Sequence, residues 1–191
     1  PEFYGCRKIY RIGGAMVYIR RVAAIFLMGL LLAGFGFKEN PSEKGVEYLQ
    51  EGRYEEAVKA FEEAVEDEVN AGDAYRGIGI ARWELEDYEG AKEAFLNALE
   101  NGAQMTGTLC NFIGNCEMRL NNPVSAQNYY RLGIGLEGNS AELEQEMKYN
   151  MIAAYEQIKD WESAKVILEE YTAEYPEDET AHKEREFLKT R

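Results

Sequence analysis

Apolar residues recur along this chain at helical rather than strand spacing, and the pattern is sharpest between residues 71 and 101. In AGDAYRGIGIARWELEDYEGAKEAFLNALEN, a helix from about Asp73 to Leu85 sets Tyr75, Ile78, Gly79, Arg82 and Trp83 at helical spacing. A second, from Tyr88 to about Leu99, carries Ala91, Phe95 and Ala98 on one face, and Glu86-Asp87 breaks the two apart. Amphipathic helices of this length are marginal alone in water, so each must bury its stripe against a neighbour.

The neighbours are copies of the same unit. Stepping back 34 positions from Gly79, Tyr88, Ala91, Phe95 and Ala98 lands on Gly45, Tyr54, Ala57, Phe61 and Ala64, the same residue type each time. Stepping forward 35 gives Gly114, Ala126 and Tyr130, with Leu85 mapping to Leu120; a further 38 from Ala126 gives Ala164, with Leu168 after it. A helix-turn-helix period of this length, with Tyr75-x2-Ile78-Gly79-x2-Arg82 followed by Ala91-x3-Phe95, resembles the tetratricopeptide repeat (TPR) family. The first copy adds Tyr48, and the last adds Tyr155, Ala164 and Pro176. Two departures stand out: Ile152 replaces the close-packing glycine of the last copy, and no copy carries the motif tryptophan.

The resemblance covers roughly residues 41 to 190. It implies an all-α fold, a right-handed superhelical stack of four helix-turn-helix pairs closed by a C-terminal capping helix. The repeats are expected at about 38–71, 72–105, 107–140 and 145–178, with the cap at 179–189. Element by element, helices are predicted at Ser42–Glu51, Tyr54–Glu66, Gln104–Leu120, Val124–Leu136, Ser140–Ile158, Glu162–Tyr175 and Glu179–Lys189, besides the central pair. Ser42 is the expected N-cap of the first, Asn121-Asn122-Pro123 the turn inside the third pair, and Pro176 the stop after the eighth. The ninth is charged enough to face solvent, as a terminal element of a stack must.

Charge divides the chain unevenly. Of 35 acidic and 21 basic residues, the first 37 positions hold only Glu2 against Arg7, Lys8, Arg11, Arg20 and Arg21, which leaves 34 acidic and 16 basic for the rest. So acidic a body repels nucleic acid and anionic lipid, and neither is expected as a partner of the repeats. Residues 16–37, MVYIRRVAAIFLMGLLLAGFGF, read as an export signal or anchor, with Arg20-Arg21 as the basic region and Val22 to Leu32 as the apolar core. Its uncharged run, Val22 to Phe37, is shorter than the roughly 20 residues of a comfortable transmembrane helix. Leu32-Ala33-Gly34 resembles a bacterial lipoprotein signal, but Phe35 stands where the lipidated cysteine belongs, so lipid attachment there is not expected, and the segment is either an uncleaved anchor or, the favoured reading, that of a lipoprotein variant, formerly lipid-anchored. Residues 1–15 read as a non-native leader before Met16. Membrane attachment is therefore expected through the N-terminal segment alone, with the acidic body extracytoplasmic at a bacterial cell membrane.

Catalytic constellations are missing from the sequence. Gly133-x-Gly135-x-x-Gly138 has the spacing of a dinucleotide fingerprint but follows helical residues instead of a strand, so it is expected to be a helix end and loop. Cys110 and Cys116 lie six residues apart on one helix, about 9 Å along its axis, which is beyond disulfide reach. Both are expected to be buried structural thiols. His182 is the only histidine, so neither a metal nor a cofactor is expected.

The family resemblance implies that the first helix of each pair lines a concave face that takes extended peptides or partner helices. On that face fall Val46, Leu49 and Gln50; Arg76, Ile80 and Trp83; Asn111, Asn115, Met118 and Arg119; and Tyr149, Asn150, Ala153 and Gln157. Asparagine amides can pair with both the N–H and the C=O of a bound backbone. Trp83 and Tyr149 are candidate aromatic anchors, with inter-repeat core as the other reading of Trp83. The carboxylate clamp of some family members is not expected, because Ile80 and Phe112 occupy slots that need polar groups. The expected function is a non-enzymatic scaffold binding a peptide segment of another envelope protein. The alternative is a structural protein that self-assembles end to end as a homo-oligomer.

Overall fold

Helix formers at a period of 3.6, punctuated every dozen residues by a break, fold here into helices throughout. The computed structural model describes residues 40–68 and 70–191 and contains no strand among them. The elements are α1 Pro41–Glu51, α2 Tyr54–Glu66, α3 Ala71–Glu84, α4 Tyr88–Glu100, α5 Gly107–Arg119, α6 Pro123–Ile134, α7 Ala141–Gln157, α8 Trp161–Glu174 and α9 Glu179–Leu188. Within the described residues they divide into two compact units, one ending at Gln104 and the other spanning Met105–Arg191. The leader, the signal segment and Phe35 lie outside the described residues.

Local chemistry sets the ends. Asn40, not Ser42, caps α1: its side-chain oxygen accepts from the Ser42 N–H at 3.1 Å, with Pro41 in the first turn where no N–H is needed. The start predicted at Gln104 moves to Gly107, because Thr106 takes extended backbone and its hydroxyl accepts from the Leu109 N–H. Ser140 caps α7 and Asp160 caps α8 in the same way.

The turn inside each pair is a copy as well, although its sequence is not. Gly52, Glu86, Asn121 and Lys159 all adopt left-handed backbone, at φ of 74°, 61°, 63° and 62°. After each, an N–H reaches back to a helical carbonyl: Arg53 to Tyr48, Asp87 to Arg82, Asn122 to Glu117 and Asp160 to Tyr155, at 2.8–3.0 Å. Such a C-terminal motif satisfies carbonyls that the helix end would leave orphaned. Only the first copy uses the residue for which this conformation costs least.

In the N-terminal unit, Ala57, Phe61, Ala64, Ala74, Ile78, Ala81 and Ala94 form the core. The repeated glycines are sockets for the repeated aromatics. A Cβ at Gly79 would fall within 2.9 Å of three Phe95 ring carbons, and one at Gly45 within 2.8 Å of Phe61. In the C-terminal unit Gly114 receives Tyr130 in the same manner. There Met118, Ala126, Tyr130, Leu143, Met147, Ala153 and Ala154 form one cluster. Ile152, Ala164, Leu168 and Tyr171 form another, closed by Ala181 and Leu188 of α9. Ile152, in the glycine slot, is itself buried core.

Candidate functional site

Within each unit the first helices of successive pairs touch, α1 with α3 and α5 with α7, so each unit presents one wall built from first helices. The candidate residues divide accordingly.

On the α1–α3 wall, Gln50 is exposed, while Val46, Leu49 and Ile80 are half-buried, the first two packed against the core. Arg76 donates to Asp73 Oδ1 at 3.1 Å and keeps about a third of its side chain in water (34%). Trp83 is buried, edge-on to the Tyr88 ring with centroids 5.0 Å apart. Its slot faces its own second helix, so it acts as core and its ring is not on offer to a ligand.

The α5–α7 wall is polar, and its amides are spent on one another. Asn150 Nδ2 on α7 donates to Asn115 Oδ1 at 3.1 Å and to Asn111 Oδ1 at 3.5 Å on α5. Asn111 Nδ2 donates to Glu146 Oε1 at 2.9 Å, and the Tyr130 hydroxyl on α6 donates to Asn115 Oδ1 at 2.7 Å. Lower on the same wall, Gln157 Nε2 donates to Asn121 Oδ1 at 2.8 Å. Asn111 and Asn150 are both buried, and a buried amide without partners would carry a desolvation cost of about 1–3 kcal/mol. Met118 and Ala153 are core, and Arg119 is half-buried. Two members of the ladder, Glu146 and the Tyr130 hydroxyl, escaped the sequence reading. The readable signal was tyrosine in the slot where the first two copies carry phenylalanine.

Next to this wall Tyr149 lies tilted on Tyr171 with ring centroids 5.4 Å apart. The Tyr171 hydroxyl accepts from Gln145 Nε2 at 3.0 Å and donates to Asp178 Oδ2 at 2.7 Å, tying α7, α8 and the start of α9 together. Burial raises both phenols above their ordinary pKa; neighbouring acids add to this, Glu184 and Asp178 for Tyr149 and Asp178 for Tyr171.

The other chemistry-bearing residues serve the fold. Cys110 and Cys116 are free and fully buried, and burial pushes the Cys110 thiol up. Gly133 packs against Met147 and Cys110, Gly135 ends α6, and Gly138 turns the chain at φ 85°. Asn139 Nδ2 closes that loop by donating to the Gly133 and Leu136 carbonyls at 2.9 and 3.0 Å. His182 Nε2 lies 2.8 Å from the Pro176 carbonyl. Among the described residues no group of three or more His, Cys, Asp or Glu side chains converges as metal ligands would.

Helix pairs repeated in this register, with glycine sockets for a repeated aromatic, define a helical-repeat protein, an architecture that supports contact with other polypeptides. Tetratricopeptide repeat families match residues 43–106 and 146–178, and over these segments the chain is a tetratricopeptide repeat protein. Among solved structures it is similar to YrrB, described as a TPR protein with an unusual peptide-binding site. That match has 21% identity and a TM-score of 0.66, and covers 78% of this chain and 74% of YrrB. It is also similar to MamA, residues 41 to the end, from Desulfovibrio magneticus RS-1, at 19% identity and a TM-score of 0.67, covering 79% of this chain and 82% of that one. At these identities the likeness concerns the fold. No curated protein matches the sequence.

Proposed function

We propose that the protein is a non-enzymatic scaffold that holds a segment of a partner protein against the walls of its first helices. The observation that carries this is the α1–α3 wall, where Gln50 is exposed and Arg76 and Ile80 keep part of their surface in water, beside Leu49, which packs partly against the core. That combination suits an extended peptide: apolar side chains take up its side chains, while an amide and a guanidinium meet its carbonyls. YrrB, of the same fold, has a peptide-binding site. The acidic balance of the body favours a basic segment over an acidic one.

The partner belongs to the bacterial envelope in this reading, because residues 16–37 have the composition of an export signal or anchor, with Arg20 and Arg21 retained inside. Among the described residues no helix is long and apolar enough to cross a membrane. Fusion of residues 16–40 to a reporter active only after export tests the location; activity confined to the cytoplasm refutes it. Affinity capture from envelope extracts with wild type and with Arg76→Ala plus Ile80→Ser, both verified as helical by circular dichroism, tests the wall. Recovery of the same partners by both proteins would refute it.

A second reading, homo-oligomeric assembly, is favoured by the large apolar side chains that face water on the second helices of the C-terminal unit. Val124 and Leu132 on α6 are 58% and 45% exposed, and Val166 on α8 is 57% exposed. Light scattering separates the two, since a monomer at every concentration excludes assembly.

A further inference from the structure

Where α9 closes the C-terminal unit, it sets a carboxyl against a carboxyl. Glu156, near the end of α7, and Glu184, on α9, interact as a hydrogen-bonded pair. Glu156 Oε1 and Glu184 Oε1 are both shielded from solvent, and no other residue aims an N–H or O–H at them. Two ionised carboxylates in such a place would each lose hydration and repel each other. One shared proton turns the repulsion into an O–H···O bond. Among the described residues no cation is found acting on Glu156 in its place. Tyr149 on α7 faces both carboxyls, and Asp178 ahead of α9 also acts on Tyr149. Lys148 on α7 is tied to Glu174 of α8, Arg185 on α9 donates to Thr172 of α8, and His182 reaches the Pro176 carbonyl. The charged group that acts on Glu156 is Glu184.

The helix so held is short. Over its 10 residues only Ala181 and Leu188 are buried, and these cover Ile152, Leu168 and Tyr171. We propose that α9 is a proton-held cap: the Glu156–Glu184 pair keeps it docked while a proton is shared, and its full ionisation releases the helix and bares the apolar end beneath. Burial, with Glu184 adding to it, pushes the Glu156 carboxyl up to about 8. A folded-state value above the unfolded one means that the docked form binds the proton more tightly. Docking is therefore fully supported below the ordinary carboxylate range and is lost as pH rises through about 8.

The test uses the full chain. Trp161 on α8 lies 5.8 Å from the Arg191 guanidinium just beyond α9, so its emission reports docking, and Trp83→Phe removes the other tryptophan. Emission is followed from about pH 6 to 10. In parallel, amide hydrogen exchange of residues 179–188 in the wild-type chain, corrected for base catalysis, gives the same readout without the Trp83 change. The expected result is a transition near pH 8 and at least a tenfold loss of α9 protection. Glu156→Gln and Glu184→Gln should each abolish it, because an amide donates to the remaining carboxylate at every pH. Leu188→Asp, which undocks α9 throughout, calibrates the released signal. Protection that stays flat across this range in wild type, or an unchanged transition in both glutamine variants, would overturn the proposal.

Discussion

Gly79→Ala is the sharpest probe of how the two helices of a pair lock together. The glycine sits in α3 beneath the Phe95 ring, which is only 1% exposed, and an added Cβ would stand within 2.9 Å of three ring carbons. Ordinary carbon contacts lie near 3.5–4.0 Å, so the ring must retreat by about 1 Å into packed neighbours. Overpacking of this kind costs about 1–3 kcal/mol, and the better helix propensity of alanine returns about 1 kcal/mol of it. The net expectation is a loss of about 1 kcal/mol, a fall of several degrees in the melting midpoint followed by circular dichroism. Gly135→Ala is the internal control. There a Cβ meets only the Leu132 and Arg131 carbonyl oxygens at 3.5 and 3.6 Å, on backbone at φ −76°, so the substitution should stabilise by about 0.4–1 kcal/mol. Shrinking the ring with Phe95→Leu should make Gly79→Ala less harmful than in wild type, a coupling visible in a double-mutant cycle. If Gly79→Ala proves as stable as Gly135→Ala, with no coupling to Phe95, the socket is not what fixes the approach of the helices.

Two further expectations follow from the same geometry. Asn150→Leu removes the donor shared by Asn111 and Asn115; Asn115 Oδ1 keeps the Tyr130 hydroxyl, but the buried Asn111 oxygen loses its donor, so urea unfolding of the C-terminal unit should show a loss of about 1–3 kcal/mol; an unchanged midpoint would mean that water replaces the amide at no cost. Glu86→Gly and Lys159→Gly relieve left-handed backbone at φ 61° and 62° and should each stabilise by about 1 kcal/mol, read as a raised melting midpoint, whereas either substitution lowering it would show that the side chain matters more than the turn.

The sequence by itself determined the local architecture: the nine helices among the described residues, their order and most of their ends, and which positions face inward. This was legible because the pattern of Gly45, Gly79 and Gly114 against Phe61, Phe95 and Tyr130 is written at short, fixed offsets, and the backbone responds to neighbours within a few residues. Even the misplaced cap at Ser42 was an error of two positions: Asn40 Oδ1 accepts from the Ser42 N–H itself, which places Ser42 inside the first turn. The use made of each inward polar group was decided only in three dimensions. Asn111, Asn115 and Asn150 look in sequence like amides waiting for a peptide, yet they bond one another across 35 to 39 residues of chain. Trp83 looks like an anchor and is core, and Glu156, unremarked in the sequence, meets a second carboxyl from α9. Helix formation is a property of neighbouring residues, whereas the hydrogen bonds and protons of a wall depend on which helices are brought side by side, and only packing brings them there.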